Sequence, residues 1–239
     1  MIRSRWASIL LPVVFAAVAA AGMLYPVHDR LTRAATLVGF VGAVVLGVIW
    51  VRKAKSVLSV LVLLLAAVPA AFFLPSRQVD AVSLRNRYVR GLESFAGSTY
   101  VWGGEGRLGI DCSGLPRKAY RDAALIEGLR TFNGALTRQW LDLWWNDAGA
   151  KTMAGGHEGR LVEVSHTEAA DLPVDKLQAG DIAVVNGDTH VLVYLGNRQW
   201  MEADPGCQKV ILHDQQADPA WLPGVRPRIM RWRSLMETR

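Results

Sequence analysis

The stretch YVWGGEGRLGIDCSGL, residues 100 to 115, changes character at Asp111. From Ser98 to Ile110 it is rich in glycine and aromatics and reads as strand or loop. After Asp111 the run CSGLPRKAYRDAALIEGL brings Leu115, Ala119, Ala123 and Ile126 onto one face at helical spacing. Pro116 fits only the first turn of such a helix, where no backbone donor is needed, so the helix is expected to begin at about Cys112 to Gly114. A cysteine there meets unpaired backbone N–H groups and the positive end of the helix dipole, which favour thiolate over thiol. The same amides could stabilise a tetrahedral oxyanion, and small Ser113 and Gly114 leave room for a substrate carbonyl. Cys112 is therefore a candidate nucleophile, although taken by itself it reads more simply as a small buried apolar residue.

A thiolate nucleophile needs a base within hydrogen-bond reach and a third group to orient that base. Of the five histidines, His28 lies between apolar runs, His157 sits in a glycine-rich loop, and His166 and His213 have no partner pattern. His190 belongs to LQAGDIAVVNGDTHVLVYLGNRQWMEA, residues 177 to 203. This segment reads as a strand from Asp181 to Val185, a turn at Asn186-Gly187-Asp188, a strand from His190 to Leu195, a turn around Gly196-Asn197 and a strand from Gln199 to Ala203. An imidazole opening a strand just after a tight turn is held firmly yet stays accessible. If a three-residue turn joins the last two strands, position 190 faces 204 and 192 faces 202, so His190, Glu202 and Asp204 share one face. A two-residue turn would put Glu202 on the other face. Either carboxylate could orient the imidazole, and both could be ordinary surface acids. One helix followed by consecutive hairpins predicts an α+β layer, not a parallel sheet.

The first third of the chain has a different composition. The runs Trp6 to Tyr25, Ala34 to Val51 and Val57 to Leu74 hold no Asp, Glu, Lys or Arg, and each approaches the roughly 20 residues a helix needs to cross a bilayer core. They divide the 239 residues into a membrane anchor of three transmembrane helices, residues 1–75, and a soluble domain, residues 76–239. The formal net charge of +6 sits entirely in the anchor, which has seven basic side chains and one acidic. The domain has twenty of each, so a nucleic-acid partner is not expected. Arg3, Arg5, Arg52, Lys53 and Lys55 flank one side of the runs and Arg30 and Arg33 the other. The positive-inside rule then predicts an inner amino terminus and, after three crossings of the cytoplasmic membrane, a domain facing the periplasm or cell exterior. The AAVAAAG stretch in the first run also fits a cleaved secretory signal, which would leave two anchoring helices.

Cys112 and Cys207 form neither a disulfide framework nor a Cys–His cluster of metal type, and no metal or cofactor is expected. A bridge between them would abolish the nucleophile, so Cys207 is expected to be mostly unpaired. Residues 76 to 90 suggest a helix or linker carrying Val79, Val82, Leu84 and Tyr88, with a second helical stretch from Leu92 to Phe95. LTRQWLDLWW suggests another helix whose Trp140, Trp144 and Trp145 read as core or lid packing.

The two quoted segments, in this order and with this internal spacing, resemble the NlpC/P60 cysteine peptidases. In that family a Y-x-[YW]-G-G element precedes D-C-S-G-[LF], and a G-D strand precedes an H-V-x-[IV]-Y-x-G run. LTRQ at Leu136 to Gln139 looks like the family's T-[SR]-x-Q segment. The resemblance covers most of residues 90 to 210. It implies a papain-like fold and hydrolysis of peptide bonds in the stem peptides of bacterial peptidoglycan, with Cys112 as nucleophile, His190 as general base and Tyr100 beside the sulfur. Asp111 and Ser113 match residues that meet the free amine of the wall peptide in some members, and Glu202 matches the third polar residue. Two positions depart from the pattern: Glu202 stands where His, Asn or Gln is usual, and Pro116 where a β-branched or apolar residue is usual. The Glu202 departure keeps open an inactive membrane-anchored peptide-binding module, and the resemblance together with the membrane anchor keeps open a thiol acyltransferase on the same fold.

Overall fold

The structure is a computed structural model describing residues 2–168, 174–215, 217 and 225–236, with side chains from Leu10 onward. Three helices come first: α1 (Ile2–Leu24), α2 (Arg30–Val51) and α3 (Lys55–Phe72). Each starts a few residues ahead of its apolar run, and Asp29 caps α2 by accepting from the Thr32 N–H at 2.7 Å. Small residues let α1 and α2 approach closely: a Cβ on Gly39 would lie 2.7 Å from the Ala19 nitrogen, and one on Gly42 would overlap the Phe15 ring. Among the described residues, α2 and α3 are long and apolar enough to cross a membrane, while α1 contributes the shorter apolar stretch Leu10–Leu24. The three expected apolar helices are thus present, and among the described residues two of them have spanning length and hydropathy.

The remainder is α+β. The helices are α4 (Ala81–Glu93), α5 (Gly114–Arg130), α6 (Gly134–Trp145) and α7 (Ala150–Ala154). A short hairpin, β1 (Glu105–Gly106) and β2 (Gly109–Ile110), leads into α5. Six strands form one antiparallel sheet: β3 (Leu161–His166), β4 (Ile182–Val185), β5 (His190–Gly196), β6 (Gln199–Asp204), β7 (Lys209–Asp214) and β8 (Arg228–Trp232), in the order β3-β8-β4-β5-β6-β7. Strands β4, β5 and β6 match the sequence expectation, whereas β3, β7 and β8 had no clear alternation to announce them. All four residues of β4 are buried, because both faces of the sheet are covered there.

α4 is one helix where two stretches were expected, with Leu84, Tyr88 and Leu92 buried one turn apart and Val82 exposed. α5 buries Leu115, Ala119 and Ala123 as its spacing suggested, but Ile126 faces outward and Ala124 and Glu127 are buried instead. Tyr120 of α5 stacks on Trp232 of β8 with ring centroids 4.2 Å apart, and Tyr88 meets Tyr120 edge-on at 5.7 Å. This aromatic ladder fastens α4 and α5 to the sheet. Asp181 adds a second fastening: it is 1 % exposed and takes both the Nε and Nη2 of Arg231 on β8, at 2.6 and 2.7 Å.

Candidate active site

Cys112 lies two residues ahead of the first helical residue of α5, in the turn that joins β2 to the helix. Asp111 holds that turn together. Its Oδ1 accepts from the Gly114 N–H at 2.5 Å and the Ser113 hydroxyl at 3.0 Å, and its Oδ2 accepts from the Gly103 N–H at 2.8 Å. The Gly114 amide is therefore committed to the cap. Gly104 returns the contact, its carbonyl accepting from the Asp111 N–H at 3.1 Å. A Cβ on Gly114 would lie 2.2 Å from that carbonyl oxygen, so the first helical position has room for glycine alone. The GG element and the DCSG run thus form one interlocked turn, and Cys112 is left 7 % exposed at its surface.

His190 begins β5, and its register with β6 is set by an irregular hairpin. Val193 pairs with Met201 and Tyr194 with Trp200, the alignment of a three-residue turn, yet Gly196 pairs with Gln199 across the two residues Asn197 and Arg198. A bulge at Leu195 reconciles the two, and Glu202 stays on the face of His190 despite the shorter turn. The imidazole is hydrogen-bonded through Nε2 to Oε2 of Glu202, and Cys112 lies near enough for its sulfur to act on the ring electrostatically. Engagement of Nε2 leaves Nδ1 as the ring nitrogen for sulfur. Burial opposes the imidazolium, but the hydrogen bonds and charges of Cys112 and Glu202 outweigh it and push the pKa of His190 up to about 10.

Asp204, the other candidate orienting group, is used differently. It accepts from the Gly206 N–H at 2.6 Å and the Cys207 N–H at 3.2 Å in the turn after β6. A hydrogen bond from the Cys207 thiol lowers the Asp204 pKa and raises that of Cys207. Cys112 and Cys207 are both free. Tyr100 lies close enough to Cys112, Asp111 and Asp204 to feel their charges, and burial first, then those charges, push its pKa up to about 12, so it is a neutral phenol. Asp111 and Ser113 adjoin Cys112 but turn their polar atoms on each other and on the turn's backbone. Among the described residues, no group of three or more His, Cys, Asp or Glu side chains is arranged to hold a metal ion.

Two features had gone unread in the sequence. His213 of β7 bonds through Nε2 to Oε1 of Glu202, so one carboxylate serves two imidazoles. The β6–β7 pairing explains it, because Glu202 faces Ile211 and position 213 is two residues further along the same face. Glu105, in the GGEG segment, is 1 % exposed and ion-paired to Arg33 of α2 and to Arg117 and Arg121 of α5. Burial would raise its pKa, but Arg117, Arg121 and Arg33 together hold it below the usual carboxylate range. The α1–α2 loop completes the contact: Pro26 accepts from the Glu105 N–H at 2.8 Å, Val27 pairs with Gly104, and Arg33 also donates to the Trp145 carbonyl at 3.0 Å.

These features agree with sequence comparison. A sequence profile described as the NlpC/P60 family matches residues 97–224. A curated relative, dipeptidyl-peptidase 6 of Lysinibacillus sphaericus, is 29 % identical over 128 residues, covering 54 % of this chain and 35 % of that protein, so the chain spans about a third of that relative's length. Among solved structures, the peptidoglycan hydrolase RipB from Mycobacterium tuberculosis aligns at 21 % identity with a TM-score of 0.42, covering 66 % of this chain and 68 % of that one. NlpC2 from Trichomonas vaginalis aligns at 22 % identity with a TM-score of 0.40, covering 65 % and 49 %. With more than half of its residues matched to that one profile, this chain, a papain-like α+β domain preceded by apolar helices, belongs to the NlpC/P60 family.

Proposed function

We propose that the chain is a membrane-anchored cysteine peptidase acting on the stem peptides of cell-wall peptidoglycan, with Cys112 as nucleophile, His190 as general base and Glu202 as the group that orients the imidazole. What supports this reading is His190 bonded to the Glu202 carboxylate and raised in pKa by the neighbouring Cys112, which lies at the amino end of α5. A protonated imidazole beside sulfur is the arrangement in which a cysteine works as a thiolate. Attack on a peptide carbonyl by Cys112 Sγ gives a tetrahedral intermediate. Its collapse expels the amine, to which His190 gives its proton, and leaves a thioester. Water, deprotonated by His190, then attacks the thioester, and the acyl product leaves as the thiol group is restored. Tyr100, Asp111 and Ser113 border the sulfur and would shape the pocket for the substrate.

Anchoring is supported by the apolar side chains that α1, α2 and α3 leave exposed, among them Val41, Ile49, Leu63, Leu64 and Val68, a surface that water would not tolerate and lipid would cover. The α1–α2 loop and the residues after α3 both touch the domain, Pro26 through Glu105 and Pro75 through Gly134, which suits a chain that crosses the bilayer three times and ends outside. The test uses the full chain in detergent or bilayer discs with purified peptidoglycan fragments, followed by mass spectrometry of the products. New amine and carboxyl termini in stem peptides are expected with the native chain and none with Cys112→Ala or His190→Ala. Cleavage retained by either folded variant removes the proposed chemistry. Absence of thiol-selective probe labelling at Cys112 near neutral pH would instead favour an inactive peptide-binding module.

A further inference from the structure

The tryptophans of α6 turn toward the apolar helices and take no part in the chemistry above. Trp140 lies against Phe72 at the end of α3, ring centroids 6.2 Å apart. Together with Trp144 it closes an almost wholly apolar cavity of about 230 Å³ whose opposite wall includes Leu37 and Phe40 of α2. A second cavity, of about 410 Å³, shares Met23, His28, Trp140 and Trp144 with the first. Its far wall is charged, with Arg107, Lys118 and Arg121 beside Glu105 and Asp122.

Positive charge is in excess on that wall. Glu105 is already shared among Arg33, Arg117 and Arg121, and Asp122 pairs with Lys118. Arg107 places its guanidinium 4.7 Å from the Phe95 ring centre and donates to the Ser94 carbonyl at 2.8 Å, and among the described residues it pairs with no carboxylate. Among the described residues the Nε of Arg121, itself only 5 % exposed, has no hydrogen-bond partner. Burial lowers the pKa of Lys118 even though Asp122 pulls it up. Tryptophans favour the level of the bilayer where headgroups meet acyl chains, and guanidinium and ammonium groups there favour phosphate.

We propose that this two-part crevice binds one anionic phospholipid of the surrounding bilayer, an acyl chain lying along Leu37, Phe40, Trp140 and Trp144 and the phosphate reaching Arg107, Lys118 and Arg121. The proposal rests on the anchoring part of the function above and is independent of hydrolysis. The full chain is placed in bilayer discs of phosphatidylcholine with and without phosphatidylglycerol, and lipid retained after extraction is identified by native mass spectrometry. Phosphatidylglycerol is expected to be retained in preference to phosphatidylcholine. Arg107→Gln and Lys118→Gln, introduced singly and together, should each lower that retention about fivefold. Trp144→Ala should weaken it as well, and soluble glycerophosphate should not compete. Equal retention of the two lipids, unchanged retention in the double variant, or competition by glycerophosphate at matched concentration would each overturn the site. The comparison of lipids needs no variant, so a variant that misfolds leaves it decisive. A chain that does not enter the discs at all would overturn the anchoring as well, which separates the two failures.

Discussion

Glu202 gives one carboxylate oxygen to His190 and the other to His213, so the acid proposed to orient His190 is itself held from behind by a second imidazole. A carboxylate held at both oxygens loses rotational freedom, and His190 inherits that order. His213→Ala should therefore leave the fold intact and lower kcat on the order of tenfold with little change in KM, the size expected when a charge-assisted hydrogen bond is lost from a positioning group. Steady-state kinetics on a defined stem peptide measures this, and a rise in KM at unchanged kcat would assign His213 to substrate binding instead.

The same carboxylate, together with Cys112, shapes the pH response. His190 is raised in the folded chain from 6.5 to about 10, so the stability contributed by its protonated form is complete below pH 6.5 and is lost as pH rises through about 10. Glu202→Gln removes one of the charges that hold the proton. The alkaline limb of the activity profile, and the imidazole titration followed by NMR, should both move to lower pH in this variant. A limb unmoved by the substitution would mean that Glu202 does not govern the histidine.

The legible and illegible parts of this chain differ in the distance over which their signals act. The start of α5 just after Cys112 and the β4-β5-β6 meander rest on local features: a proline confined to a first turn, a tight turn at Asn186 to Asp188, alternation after His190. The place of Glu202 depended on turn length, and a bulge at Leu195 reconciled a two-residue turn with the three-residue register, which no propensity announces. His213 was passed over because β7 has weak alternation, so nothing marked it as the diagonal neighbour of Glu202. Arg33 looked like a topogenic charge at the mouth of an apolar run, and Glu105 like a polar loop residue. Their meeting inside the protein joins segments 72 residues apart, and only the docked α1–α2 loop reveals it.

Glu105 is surrounded by three guanidinium groups, and its removal leaves them facing each other in a buried space. Glu105→Ala should cost about 3–5 kcal/mol of stability, the range found when one partner of a buried ion pair is deleted. Arg33→Met should cost less, because Arg117 and Arg121 still neutralise the carboxylate. Thermal unfolding of the full chain in detergent tests the order, and equal effects would show that Arg33 carries the cluster. Because Glu105 sits beside Gly104 in the turn that supports Cys112, both variants should also lower kcat.

Gly114 offers the sharpest test of the interlocked turn. A methyl group there would lie 2.2 Å from the Gly104 carbonyl oxygen and 3.1 Å from Oδ1 of Asp111, and neither can retreat without loosening a bond that positions Cys112. Overpacking of this kind costs about 1–3 kcal/mol, a loss a folded domain can survive. Catalysis is less forgiving, since a shift of about 1 Å in a reacting atom lowers the rate on the order of a hundredfold. Gly114→Ala should therefore yield a chain that still unfolds cooperatively but turns over stem peptides on the order of a hundredfold more slowly, with labelling of Cys112 by a thiol probe slowed in parallel. Near-native turnover would mean that the helix start can shift while sulfur and imidazole stay together, and the nucleophile would then owe its placement to the sheet side of the site.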